Sequence, residues 1–281
     1  MKSEKILYKS SIDVPKLLFE IFMILLSFII LIPFVMMLLG SFKTQQEAIY
    51  FNLSLPEKWQ FNNYLQVIQE GKIIRSFLNS MLITSSSVTL CLIATALASF
   101  VIARRKDRAM SFMMNLFMIG MIAPMSMIPT IRVLQTLHLT GSYLGVILIY
   151  MARNIPWSSF IFIKFIKGIP MELDESAIID GCGPHGTFFK ILLPLLKPVT
   201  VTTLIIVVMN VWNDFMIPLY FLGNSKKWTM PLTVYNFFGR YAREWNLVFA
   251  DLIMTALPVV LLYLFCQKYI IAGLTAGSVK G

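Results

Sequence analysis

Four acidic side chains fall within nine residues near the middle of the chain, in a segment that also contains glycines and prolines. They are Glu172, Asp174, Glu175 and Asp180. Carboxylates can act as general acids or bases, or they can pair with positive charges on another molecule. No His/Asp/Glu or Ser/His constellation accompanies them, and His138 and His185 have no visible catalytic partner. The segment therefore indicates docking, and no enzymatic activity is expected of this chain.

A second set of polar side chains lies inside long apolar runs. An ionisable residue in a membrane helix is costly, so it usually faces the interior of the helix bundle or a water-filled cavity. Arg153 and Asp214 are such residues, and an ion pair between them is geometrically possible. Asp251 and Arg132 are instead expected at the interface, near the outer ends of spans. The candidates inside the runs are Tyr150, Arg153, Asn154, Trp157, Asn210, Asn213 and Asp214.

The composition is that of a membrane protein. Of the 281 residues, 57% are hydrophobic and 14% are charged, whereas soluble domains carry about 25% charged residues. We expect one integral membrane domain, residues 1–281, in contact with lipid. The formal net charge of +10 does not indicate nucleic-acid binding, because Lys and Arg are scattered in short loops and form no clustered basic face. The three widely spaced cysteines fit neither a disulfide framework nor a metal site.

Six stretches are long and apolar enough to cross a membrane, which takes about 20 mostly apolar residues in a helix. The alternation that barrel strands need is absent, so the predicted fold class is an all-α integral membrane protein. Seven methionines between residues 110 and 127 predict flexible packing in a mobile third helix. The predicted spans are residues 17–40, 80–102, 109–131, 142–163, 198–223 and 247–267.

Lys and Arg in the loops give the expected orientation. If the N-terminus is inside, the inner segments hold 14 basic residues over 70 positions and the outer ones hold 9 over 72. The densest cluster is "ARRKDR" at 103–108, with four basic residues in six. Because cytoplasmic loops are enriched in Lys and Arg, both termini and the acidic segment are expected in the cytoplasm.

Residues 168–197, hereafter the central segment, read as two short helices with a hinge between them. Pro170 suits a first helical turn, and the acids that follow favour the positive end of the helix dipole. Gly181 can take the left-handed conformation that ends a helix, and Pro184 suits the start of the next one. The stretch "TFFKILLPLLKP" then continues as an apolar helix into the fifth span.

The length of the central segment also argues against a plain connector. Helix–helix connections in compact proteins usually have about 2–8 residues. This segment is far longer and contains specific helix starts and stops. A solvated connector remains an alternative, but a docking element for a cytoplasmic partner explains the pattern more economically.

The motif "ELDESAIIDGCGPHGTFFKILLPLLKP" resembles the EAA loop of the permease subunits of ABC importers, with the approximate pattern E-A-A-x-x-D-G-A followed by I-x-L-P. Ser176 and Cys182 depart from this pattern, each as one small residue for another. The stretches "SFKT", "NY", "FLNS", "WND" and "IIAGLTAGSVKG" resemble carbohydrate-importer permeases of the maltose type. The matching positions in the loop are Glu175, Ala177, Asp180, Gly181, Ile191, Leu193 and Pro194.

The resemblance implies a permease subunit that imports a sugar or oligosaccharide across the bacterial cytoplasmic membrane. It implies a second permease, two ATPase subunits and an external binding protein as partners. It also implies that ATP and Mg bind the ATPase, with no cofactor on this chain. In that family the loop forms a coupling helix that inserts into the ATPase. The residues expected to carry this coupling are Glu172, Asp174, Glu175, Ser176, Ala177, Asp180, Gly181 and Gly183.

Several alternatives stay open from the sequence. The polar set around Arg153 either lines a sugar path or locks two helices through an ion pair with Asp214. The solute is a sugar or another solute of the same importer class. An ion-gradient-driven transporter would show inverted repeats and discontinuous helices with ion ligands, and no convincing repeat is visible.

Overall fold

A computed structural model describes residues 14–238 and 244–276, and their regular secondary structure is helical. Helix α9 contains a π-helical stretch at Thr187–Leu192, and two 3₁₀ turns follow α11, at Ser225–Lys227 and Met230–Asn236. The helices are α1 (Val14–Gly40), α2 (Gln45–Ala48), α3 (Asn62–Glu70), α4 (Ile73–Arg104), α5 (Arg108–Ile122), α6 (Met127–Thr136), α7 (Tyr143–Lys167), α8 (Glu172–Ile179), α9 (Pro184–Leu195), α10 (Lys197–Trp212), α11 (Met216–Leu222) and α12 (Trp245–Ala276).

Four of these helices are long and apolar enough to cross a membrane: α1, α4, α7 and α12. They contain the predicted first, second, fourth and sixth spans almost completely. Helices α9 and α10 meet at a bend of 72° and would make a fifth crossing if they count as one. The count of six crossings stays a prediction. The terminal residues 1–13 and 277–281, on which the predicted orientation partly rests, lie outside the described residues.

The predicted spans 109–131 and 198–223 are not continuous helices, and this corrects the sequence prediction. The first is interrupted after α5, where Ala123 is extended (ψ 124°) because it precedes Pro124. The second is interrupted after α10 at residues 213–215, "NDF", before α11 begins. A hydropathy window averages over such breaks and does not detect them.

The core forms where α4 packs against α7. Each helix presents small hydroxyl residues to the other, as at Ser99, whose Oγ donates to the Ser159 carbonyl at 3.4 Å. Ser158 and Ser159 on α7 are fully buried. Small residues allow close approach of helix backbones in membranes, so these two helices are closely packed. Thr84 and Ser87 on α4 are also buried.

Asp251 is buried within the chain. It lies on α12 with 1% of its surface exposed. Its Oδ1 accepts a hydrogen bond from the Thr233 hydroxyl at 2.7 Å. The same hydroxyl lies 2.6 Å from the Met230 carbonyl. The aspartate therefore fastens the 3₁₀ turn of residues 230–236 to the last long helix.

Candidate functional sites

The hinge of the central segment has the geometry that the sequence predicts. Helix α8 ends in a Schellman motif, in which the Cys182 N–H donates to the Ala177 carbonyl at 2.9 Å and the Gly181 N–H donates to the Ile178 carbonyl at 3.0 Å. Gly181 has φ +80°, the left-handed conformation that glycine adopts without strain. Pro184 then opens α9. Two short helices thus meet at a fixed bend.

Most of the predicted coupling residues lie on the exposed side of this bend. Glu172, Glu175 and Asp180 are exposed carboxylates. Ser176 is also exposed, and its hydroxyl donates to the Leu173 carbonyl at 3.0 Å. Ala177, by contrast, is 1% exposed and packs inward. The segment therefore offers three carboxylates to another molecule.

Asp174 is the one acid of the four that is not exposed. Its Oδ2 lies 2.6 Å from Nε of Arg104, the last residue of α4, and the two side chains are only 14% and 11% exposed. Nη2 of Arg104 also donates to Oδ1 of Asp174 at 3.3 Å. This carboxylate is already paired within the chain.

Apolar side chains accompany the exposed acids. Ile178 and Ile179 on the last turn of α8 are 65% and 85% exposed, and Met171 before the helix is 45% exposed. An exposed apolar patch beside charged groups is typical of a protein–protein contact. The central segment can therefore bury apolar area and pair charges on one partner.

A cavity of about 1230 Å³ lies between α5, α6, α7, α10 and α11. Both helix interruptions border it, the first through Ala123 and Pro124 and the second through Asn213 and Asp214. Irregular backbone at membrane depth is tolerated where it lines a cavity or is buried in protein. Of the seven candidates in the apolar runs, this cavity brings together Arg153, Asn210, Asn213 and Asp214.

The predicted ion pair forms at the cavity wall. Nη1 of Arg153 donates to Oδ2 of Asp214 at 2.8 Å, and the side chains are 54% and 9% exposed. Oδ1 of Asp214 accepts from the Ile217 N–H at 3.0 Å and so caps the start of α11. The aspartate is fixed, and the arginine presents its exposed part to the cavity. The pair thus links α7 to the second helix break and also contributes to the lining.

The other three candidates do not line the cavity. Tyr150 is 1% exposed in the hydrophobic core. Asn154 is buried, and its Nδ2 donates to the Tyr150 carbonyl at 2.8 Å. Trp157 is half-buried and lies outside the cavity wall. Their place in a substrate path is not supported by this arrangement.

Methionines form a part of the wall that sequence reasoning did not assign to a site. Their run indicated flexible packing, yet several members face the cavity. The signal that could have found them is Pro124, which interrupts the helix between Met121 and Met125. Within residues 14–238 and 244–276, no group of three or more His, Cys, Asp or Glu could hold a metal ion. The lining methionines are Met121, Met125, Met127, Met209 and Met216.

Comparison with known proteins places these features in one context. Residues 69–275 match the family described as binding-protein-dependent transport system inner membrane component. The chain is 32% identical to the probable starch degradation products transport system permease protein AmyC of Thermoanaerobacterium thermosulfurigenes, over 96% of this chain and 98% of that protein. It is 36% identical to the multiple sugar-binding transport system permease protein MsmG of Streptococcus mutans, over 90% and 92% of the two chains.

A further relative and one solved structure agree with this. The melibiose/raffinose/stachyose import permease protein MelC of Bacillus subtilis is 36% identical over 89% of this chain and 91% of that protein. A chain of a bacterial ABC transporter involved in the import of the acidic polysaccharide alginate superposes with a TM-score of 0.79 at 20% identity. That superposition covers 93% of this chain and 98% of the other, so the two share a fold.

Proposed function

Because the chain belongs to the family of binding-protein-dependent transport system inner membrane components, we propose that it is the membrane-spanning permease subunit of an ATP-driven importer for a sugar or an oligosaccharide. The observation that carries this proposal is the length of the match. Sugar permeases such as MsmG and MelC align over about nine-tenths of both chains, so the likeness is not confined to one motif.

The proposed topology has six crossings with both termini in the cytoplasm of a bacterium. The interrupted helices α5–α6 and α10–α11 each account for one crossing. The basic cluster at 103–108 and the central segment then lie on the cytoplasmic side. This orientation agrees with exposed carboxylates on α8, which can reach a soluble partner.

The proposed assembly contains a second permease, two ATPase subunits and an external binding protein. ATP and Mg are bound and used on the ATPase, so this chain performs no catalysis and carries no cofactor. The family is defined by dependence on a binding protein, which supports one of these partners directly. The remaining partners follow from the importer class.

Within this assembly, the central segment is the proposed contact with the ATPase. Glu172, Glu175 and Asp180 pair with positive charges there, while Ile178 and Ile179 bury apolar area. Ala177 packs the helix against the chain itself. The left-handed conformation of Gly181 sets the angle between α8 and α9.

The cavity is the proposed substrate path. Asn210 and Asn213 offer both donors and acceptors to sugar hydroxyls, and Arg153 adds a charged donor at the same wall. The two helix breaks at this cavity are also what an ion-gradient-driven transporter would show, so that class is the second candidate. Transport by such a carrier would not require an ATPase.

The experiment that tests the substrate class starts from the assembled complex. The chain is purified with its partners, and ATP hydrolysis is measured with the copurified binding protein and a panel of neutral oligosaccharides, amino acids and peptides. We expect stimulation by a sugar that the binding protein binds. Stimulation by amino acids or peptides alone would contradict the sugar assignment.

A further inference from the structure

Arg104 contacts two parts of the central segment at once. Its Nε lies 2.6 Å from Oδ2 of Asp174 on α8, and its Nη2 donates to Oδ1 of the same carboxylate at 3.3 Å. Its Nη1 donates to the Ile169 carbonyl, just before α8, at 3.1 Å. One guanidinium thus joins the end of α4 to both the entrance and the body of the next cytoplasmic helix, about 70 residues along the chain.

The surroundings of this ion pair differ from those of its neighbour in the same loop. Arg105 and Asp107 are also 2.6 Å apart, but their side chains are 64% and 38% exposed. Arg104 and Asp174 are 11% and 14% exposed. Exposed pairs contribute little to stability, whereas removing one partner of a buried pair leaves a charge without compensation. The two pairs have the same chemistry and differ in burial.

Helix α8 has few other attachments among its own side chains. Ala177 is its one buried residue, and its remaining side chains are exposed or half-buried. The Arg104–Asp174 pair is therefore one of the main side-chain contacts between α8 and the membrane helices. At its other side, α4 is packed tightly along α7, and α7 carries Arg153 at the cavity wall.

We propose that Arg104 is a positioning residue for coupling: it transmits a displacement of α8 to α4, and through the α4–α7 pair to the cavity. Asp174 is its ion-pair partner on α8 and does not dock on the ATPase. This inference rests on the proposed function, because it gives the docking helix its attachment to the helices that move. It predicts that the pair matters for linkage between hydrolysis and transport and not for binding of the ATPase.

The test uses the full transporter in proteoliposomes and measures ATPase retention, ATP hydrolysis and sugar uptake. Arg104→Gln and Asp174→Asn are expected to retain the ATPase but to lower sugar moved per ATP about tenfold, within the usual range of coupling energies. The reversed pair, Arg104→Asp with Asp174→Arg, should recover part of that loss. Arg105→Gln is the matched control in the same loop and should behave as wild type.

Three results would overturn the inference. Single variants with unchanged coupling would show that the pair is dispensable. Loss of the ATPase in Asp174→Asn, without recovery in the reversed pair, would make Asp174 a docking group. If the single variants unfold, Arg104→Lys is used instead, because it retains the positive charge. Wild-type coupling in Arg104→Lys would show that the simultaneous contact of the guanidinium with Asp174 and Ile169 is not needed. Wild-type vesicles without ATP-dependent uptake would instead refute the proposed function itself.

Discussion

Gly181 is the residue at which the chain turns between α8 and α9, and its conformation restricts what can replace it. A Cβ added there would meet nothing within 4 Å, so the obstacle is the φ of +80° and not a clash. A left-handed conformation costs a non-glycine residue roughly 1–2 kcal/mol. A substitution therefore moves α8 relative to α9 without crowding any neighbour.

We expect Gly181→Val to uncouple ATP hydrolysis from transport in the reconstituted assembly. Gly183→Ala is the control, because its surroundings are equally open and its φ is −74°. The measurement is sugar transported per ATP hydrolysed. Equal coupling in the two variants would show that the angle of this bend is unimportant.

Tyr150 tests which polar residues belong to the substrate path. It is 1% exposed, and its buried hydroxyl has no hydrogen-bond partner among the described residues. Tyr150→Phe should therefore leave uptake affinity unchanged, while Asn213→Ala at the cavity wall should weaken it several-fold. Transport assays over a range of sugar concentrations measure both. A larger effect at Tyr150 than at Asn213 would contradict the assignment of the cavity.

Asp251 gives a prediction about stability. The Thr233 hydroxyl has one proton and lies within hydrogen-bond distance of both the Met230 carbonyl and Oδ1 of Asp251. An amide at position 251 donates to that hydroxyl and so satisfies both contacts. Asp251→Asn should keep the thermal unfolding midpoint, whereas Asp251→Ala should lower stability by roughly 1–3 kcal/mol. Equal losses would mean that the acid itself is required.

Spacing along the sequence identified the group of acids but not which of them are free. Asp174 and Glu175 are adjacent and chemically alike, yet one is paired with Arg104 and the other is exposed. The difference arises from a contact across about 70 residues, which no local pattern encodes. The Arg153–Asp214 pair could be suggested from the sequence because both residues interrupt apolar runs, but the choice between a cavity lining and a link between helices could not.

At the scale of elements, helix ends were more predictable than helix continuity. The turn at Gly181 follows from local conformational preference, and the structure confirms it. The breaks at residues 123–126 and 213–215 depend partly on local signals, Pro124 and the "WND" stretch, inside windows that remain apolar on average. Hydropathy measures burial in lipid and is insensitive to a few irregular residues that a cavity can accommodate.

The loop after α1 is fixed by Glu47. Its Oε2 accepts from the N–H and hydroxyl of Thr44 at 2.9 and 2.7 Å, and its Oε1 accepts from the Glu57 N–H at 2.9 Å. The backbone N–H groups of Glu57 and Thr44, and then the Thr44 hydroxyl, lower the pKa of Glu47 below its usual 4.5. The ionised carboxylate thus caps the start of α2 and holds the backbone at Glu57 against it.

A lowered pKa contributes stability above the usual pKa and loses it as the pH falls through the folded value. We therefore expect hydrogen-exchange protection of residues 44–57 to be constant near neutral pH and to decline below about pH 4.5. Glu47→Gln should remove most of this pH dependence, because it does not ionise. Protection that declines equally in the variant would assign the effect to another group.

At the scale of the whole molecule, composition alone indicates a membrane protein, since a charged fraction this low excludes an ordinary soluble domain. The number of crossings depends on which bent or short helices are counted, and this requires knowledge of how they pack. In the isolated chain, most of helix α1 is not covered by other helices. The window of α1 that could span the membrane is entirely exposed within this chain, which fits contact with lipid or with the proposed second permease.

The energy source is the property that separates the proposed importer from a gradient-driven carrier built on the same interrupted helices. The most direct measurement is uptake of a labelled oligosaccharide into proteoliposomes that contain the assembled transporter and its binding protein, with internal ATP depleted or the ion gradient collapsed in turn. We expect uptake to stop without ATP and to persist without the gradient. Uptake that survives ATP depletion but stops when the gradient is collapsed would contradict the assignment.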